Sequence, residues 1–279
     1  MLMLVSAAFA SPVSLRAMDD YNGETTASPG VVDYVADGYA QVSRELALAV
    51  ANKPIGPGET LGWRGFAVHV GTSLAFVRTG SLDGTNPSGW ELADPDEDPD
   101  DVLFQPTLHV RKGLPLSLEV GGNVGWFAGD TTAAIGGFAR WAPIEGHRGL
   151  PDVAVQYGWS TLVGNEELAL DVEDMNVTVG YTLPFGRITG IHESTFSPYV
   201  GAGVQRIHAT PGDLGGTQLS GRLVEKSGVQ GVDAYDPSFM PIVLQGGFRV
   251  EHGGFALTMA TTYAPSLIAT ANVGFGFVY

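Results

Sequence analysis

The densest group of chemically capable side chains is acidic. Between Thr79 and Asp101 lie eight carboxylates, Asp83, Glu91, Asp94, Asp96, Glu97, Asp98, Asp100 and Asp101, with no lysine or arginine among them, so one stretch carries half of the net charge of −16. Clustered carboxylates supply the oxygen ligands that a hard cation such as Ca2+ prefers. Asp94, Asp96, Glu97, Asp98, Asp100 and Asp101 are therefore the candidate metal ligands. Pro95 and Pro99 hold the stretch extended, and no glycine stands where an EF-hand needs its sharp turn. A solvated loop explains the same composition and is the favoured reading.

Histidine gives less. The six histidines, His69, His109, His147, His192, His208 and His252, form neither an HExxH pair nor any other paired-ligand spacing, and no GxSxG elbow is present. His208, Asp213 and Ser220 are the one set that fits a hydrolytic triad, and any long polar loop would supply as much. The expectation is a protein that is not an enzyme and holds no cofactor. Without cysteine there is no disulfide, thiolate metal site or thiol nucleophile. Fourteen basic residues against thirty acidic ones exclude a nucleic-acid partner, which requires neutralisation of phosphates.

These residues have to be positioned by strands. From Leu61 onward the hydrophobic period is two. Phe66, Val68, Val70, Leu74 and Phe76 alternate with Gly65, Ala67, His69, Gly71 and Ser73, and Met175, Val177, Val179 and Tyr181 alternate with Asp174, Asn176, Thr178 and Gly180. Glycine, 39 of 279 residues, sits inside such runs rather than in linkers, which marks close backbone approach within strands. Ten strands are predicted, at 62–78, 102–111, 114–128, 132–142, 152–162, 169–184, 196–208, 239–250, 254–264 and 267–279. Most are long enough to cross a bilayer at a tilt, whereas globular strands average five or six residues. With both termini taken on one side, the long connections at 79–101 and 209–238 fall on the other. The tight turns Lys112-Gly113 and Glu251-His252-Gly253 fall on the near side. Trp63, Trp126, Trp141, Tyr157, Trp159 and Tyr181 lie near strand ends, as interface girdles do.

Two segments precede the strands. Residues 1–10, MLMLVSAAFA, end in a small-x-small cleavage pattern and read as a shortened secretory signal. Residues 11–60 read as a periplasmic or plug segment around one amphipathic helix at 29–50. There Val31, Val35, Tyr39, Val42, Leu46 and Ala49 recur at helical spacing, Ser28 can cap, and Pro29 suits the first turn.

At the C-terminus Ala271, Val273, Phe275, Phe277 and Tyr279 form an uncharged apolar face, alternating with Asn272, Gly274 and Gly276 and ending on an aromatic. This resembles the last strand of the Gram-negative outer-membrane β-barrels. The resemblance implies that Val273, Phe275, Phe277 and Tyr279 are the assembly signal read by the barrel-assembly machinery. It further implies a bacterial outer-membrane location, with lipid and lipopolysaccharide as surroundings. The fold expected is all-β, an antiparallel transmembrane up-and-down barrel of about ten strands (eight to twelve) over 61–279, behind one N-terminal helix.

Alternation then assigns His69, Glu119, Asn123, Arg140, Asp174, Asn176, Gln245, Arg249 and Asn272 to the lumen. About ten strands leave only a little more room than eight, whose side chains nearly fill the interior. The expectation is a narrow channel, transporter or structural envelope barrel of low conductance, with the helix able to close its periplasmic mouth. The alternatives are a surface-exposed barrel whose acidic loop binds cations or a partner, an outer-membrane enzyme, and a soluble periplasmic β-sandwich.

Overall fold

In a computed structural model the residues described are 15, 18, 29–53, 56–80, 87–93, 99–146, 150–187, 193–211, 240–265 and 268–279. Helix α1 (Pro29–Val50) is followed by β1 (Phe66–Phe76), the short α2 (Gly89–Ala93), β2 (Val102–Leu114), β3 (Leu118–Trp126), β4 (Ala133–Ile144) and β5 (Asp152–Val163). Then come β6 (Leu168–Gly180), β7 (Leu183–Arg187), β8 (Glu193–Pro211), β9 (Ile242–His252), β10 (Phe255–Tyr263) and β11 (Ala269–Val278). Every pairing is antiparallel between neighbours, and β1 pairs with β11 from Ala67↔Val278 to Phe76↔Ala269, which closes the sheet into a barrel. β6 and β7 both pair with β8, at Tyr199–Pro211 and at Glu193–Phe196, so they form one interrupted stave of a ten-stave barrel. The interruption falls just before Pro184, which has no N–H to give to a ladder.

The rim that carries Tyr279, here the lower rim, holds the hairpin turns β2–β3, β4–β5, β7–β8 and β9–β10. At the upper rim lie the facing ends of β1 and β2, β3 and β4, β5 and β6, β8 and β9, and β10 and β11. Two turns differ from expectation. Lys112 and Gly113 belong to β2, paired with Val120 and Glu119, and the chain reverses at Pro115–Ser117 with left-handed φ of 66° at Leu116 and 56° at Ser117. At β9–β10 the reversal is Gly253-Gly254, both at positive φ, between the paired His252 and Phe255. This is the two-residue hairpin that suits strand twist.

The outer face is apolar and the aromatics expected at interfaces lie on it, with Trp63, Trp126, Trp141, Tyr157, Trp159 and Tyr181 all exposed. In β1 the apolar outer residues run from Phe66 to Phe76. Ten rises of about 3.4 Å at a tilt near 40° span about 25 Å, the height of a bilayer-facing band. On β6 the band stops at Met175. Below it Met175, Val177 and Val179 are exposed outward and Asp174, Asn176 and Thr178 are buried inward. Above it Leu168, Leu170 and Val172 are buried inward, and Asp171 and Glu173 face out beside their register partners His208 and Arg206. The inner and outer faces exchange polarity where the strand leaves the band.

The last residue extends this seam by one pair, because the Phe66 and Tyr279 amides each donate to the other's carbonyl at 2.8 Å. Deleting Tyr279 removes both bonds and opens the seam edge, at a cost of several kcal/mol for each group left unpaired in an apolar medium. The truncated protein should lose heat-modifiable migration and membrane yield. Unchanged behaviour in both would show that the seam does not depend on Tyr279.

Candidate functional site: the occupied lumen

The segment ahead of β1 runs through the barrel from the upper rim to the lower. At the top, the Leu15 amide donates to Glu167 of the β5–β6 connection. Halfway down, Asn52 Nδ2 donates to the carbonyls of Gly137 and Trp159 and to Ser160 Oγ at 2.8–3.0 Å. Near the bottom, Arg140 donates to the Pro57 carbonyl and Glu119 accepts from the Leu61 amide, before Phe66 enters the wall. The helix is therefore in the upper half of the barrel, away from the rim that carries Tyr279. Leu15 stands at the rim opposite Tyr279.

Why the helix sits high follows from the inner wall. There Leu103, Phe127, Leu162, Leu168, Leu170, Val172, Ile207, Val243 and Ile268 point inward from strands all round the barrel, and Tyr39, Val42, Leu46, Leu48 and Val50 fill the space between them in one core cluster. Burying each such side chain is worth about 1.5–3 kcal/mol. From Gly38 to Val50 the helix is buried all round, with only Arg44 partly exposed, so it packs as a core helix and not as the amphipathic one expected. Glu45 and Gln41 have partners instead of water. Glu45, fully buried, accepts from Trp90 Nε1 at 2.8 Å and from the Arg78 amide and Nε at 3.0 and 2.9 Å. Gln41 bridges the Arg78 carbonyl and the Gly89 amide. Gly38 and Gly89 let α1 and α2 meet backbone to backbone, because a Cβ on Gly89 would lie 2.2 Å from the Gly38 carbonyl oxygen.

The lower half is held by charge. The Nη1 atoms of Arg111, Arg249 and Arg140 converge on Gly56, 3.4, 3.5 and 3.9 Å from where its Cβ would stand. Glu119 lies 3.4 Å from Arg111 and 3.9 Å from Arg140. Arg249 reaches Glu59 at 2.8 Å and Glu251 at 2.9 Å. A buried guanidinium needs such partners, since an uncompensated buried charge costs several kcal/mol. Lys53 is buried at the helix end with its Nζ donating to the Ala49 carbonyl.

Glycine explains how long polar side chains fit a filled lumen. Asp174, Asn176, Gln245, Asn123 and His69 each face a glycine in register on the next strand, respectively Gly158, Gly203, Gly201, Gly136 and Gly276. A Cβ on any of these five would come within 2.2–2.5 Å of the facing side chain. The side chains lie flat against the wall across the glycines and leave the axis to the threaded segment.

The structure places His69, Glu119, Arg140, Asp174, Asn176, Gln245 and Arg249 inside and buried, with Asn123 and Asn272 inside and partly exposed. It brings Glu119 and Arg140 together and leaves Arg249 with Glu59 and Glu251. Arg111, His109, Gln156 and Gln205 were missed. For Arg111 the signal was the phase His109-Arg111-Gly113, which continues through the position read as a turn. Of the acidic candidates, Asp94, Asp96, Glu97 and Asp98 lie outside the described residues. Asp100 and Asp101 stand at the entrance to β2, where the Thr79 hydroxyl donates to Asp101. Among the described residues no three His, Asp or Glu side chains gather as a metal site. His208 faces outward beside Asp171, while Asp213, Ser220 and residues 1–10 are outside the described set. Val273, Phe275, Phe277 and Tyr279 line the exposed outer face of the closing strand and its end.

Fold and site together define a closed ten-stave up-and-down barrel, apolar outside and occupied inside by its own chain. No family model and no curated protein matches the sequence. Among solved structures, the attachment invasion locus protein Ail of Yersinia pestis, in complex with the heparin analogue sucrose octasulfate, shares 11% identity over 78% of this chain and 99% of its own, at a TM-score of 0.27. The KdgM porin shares 6% over 76% and 98%, at 0.31. The transport unit of the autotransporter AIDA-I from Escherichia coli shares 10% over 87% and 97%, at 0.35. All three are outer-membrane β-barrels. At these values the fold stands on the strand register of this chain.

Glu45 is the single residue on which the upper seat turns. Glu45→Ala strands the Trp90 indole N–H and the Arg78 amide, and should weaken the seat by about 2 kcal/mol. With Ser43→Cys as a reporter in this cysteine-free chain, thiol labelling should become roughly 30-fold faster. Glu45→Gln, which keeps an acceptor for Trp90, should lie between. Equal labelling rates in all three would remove Glu45 from the seat.

Proposed function

We propose that the protein is an integral barrel of the bacterial outer membrane that catalyses no reaction, and that its lumen is a passage closed at rest by residues 29–61. The observation that carries this reading is the pairing of an apolar outer band with a lumen whose apolar upper half is sealed by α1. The apolar band needs lipid around it, and the sealed lumen leaves solutes no open path along the axis. The lower seat is made of ion pairs and hydrogen bonds that water can replace, so departure of the segment leaves a hydrated, charged wall.

Planar bilayers test the passage. The full chain should give little or no steady conductance, and a variant lacking residues 29–53 should conduct in proportion to the freed lumen. Large steady currents from the full chain would contradict the seal. A deletion variant that keeps heat-modifiable migration and stays silent would make the barrel structural.

Orientation follows from the hairpins. Bacterial barrels keep short turns on the periplasmic side, which sets the upper rim, and with it Leu15 and the 77–101 connection, toward the cell exterior. Epitope tags inserted at Asp96 and just ahead of Pro29 should both be reachable on intact cells, and a tag in the Gly253-Gly254 turn should not. Labelling of the turn tag alone would invert the barrel.

A further inference from the structure

The polar atoms that threading does not use gather at the seam. On the inner wall formed by β1, β2, β10 and β11 a cavity of about 20 Å³ is lined by His69, Thr107, His109, Thr258 and Asn272, among others. His69 and His109 are register partners on β1 and β2. Three residues that line this cavity each carry a buried polar atom without a hydrogen-bond partner, His69 Nε2, Thr258 Oγ1 and Asn272 Nδ2. His69 and Thr258 are each 2% exposed. A buried polar group left unpaired is costly, so three around one space point to a guest.

The guest's chemistry follows from the donors and the field. A threonine hydroxyl and an amide N–H donate, and the imidazole donates as well in its Nε2–H tautomer. The ionised side chains that act on His69 are Arg111 and Arg249, and those that act on His109 are Lys53 and Arg111, all cations. That field opposes a metal ion, and no carboxylate lines the space to offset it. Size narrows the choice further. By this measure one water needs about 10–15 Å³, so the cavity of about 20 Å³ has room for one water or one halide-sized ion.

We propose that this cavity is a binding site for a single small monovalent anion of halide size, held by Asn272, Thr258 and His69 beside the arginines of the lower lumen. The bound anion gives the donors around the cavity a partner on the wall formed by β1, β2, β10 and β11. The site does not depend on whether the lumen ever opens.

The test is the full-length protein purified and crystallised in bromide, with diffraction recorded at the bromine edge. An anomalous peak within contact distance of Asn272 Nδ2 and Thr258 Oγ1 is expected. Thr258→Val and Asn272→Asp should each remove it, the second by adding a negative charge without changing shape. Thermal unfolding should also shift upward in chloride or bromide relative to sulfate at equal ionic strength. A wild-type map with water in the cavity and no anomalous peak would overturn the proposal, whether or not the variants fold.

Discussion

A cylinder of ten strands is slightly wider than its own inward side chains can fill, and the inner face follows from how that surplus is occupied. Water would suffice for a porin. Here the occupant is covalently part of the barrel, a helix and an extended strap that enter at one rim and become β1 at the other. Being attached, the strap meets the wall at a concentration no free ligand reaches. Modest contacts at Asn52, Pro57, Glu59 and Leu61 are then enough to hold it.

The occupant divides the lumen into two media. Around α1 the wall is a protein core, with Leu168, Leu170 and Val172 turned inward while their neighbours Asp171 and Glu173 face out. Around the strap the wall is polar, and three guanidinium groups surround Gly56, where only a glycine fits. The upper half resembles a soluble barrel raised above the lipid band, and the lower half resembles a membrane barrel within it. One strand serves both by exchanging the polarity of its faces at Asp174 and Met175.

Much of this was legible in the sequence wherever one face of a strand is uniformly apolar. Period-two alternation located all ten staves to within a few residues, and the charge-free terminal strand marked the seam. The helix bounds followed from Pro29 and from the spacing up to Val50. The destination of the helix was not legible, because a core helix and an amphipathic one share the same apolar spacing. Only the wall shows that Gln41, Ser43 and Glu45 are buried too. Arg111 was lost to a turn assigned at Gly113, when that glycine is an inward position packed against Gly62. The inward apolar residues of β6 were hidden for the opposite reason. Sequence marks which face is apolar, and the level at which apolar ceases to mean outward is fixed by the height of the band.

The central claim is that the chain passes through its own barrel, and the contact between Asn52 and Ser160 at mid-height tests it most directly. Since no native cysteine interferes, a double variant with Asn52→Cys and Ser160→Cys, embedded in lipid, reports that contact alone. Under mild oxidation it should form an intramolecular disulfide in nearly all molecules, lose both free thiols and migrate as a more compact band. Two thiols that stay free and label rapidly from solvent would mean that the strap lies outside the barrel, and the account would fail.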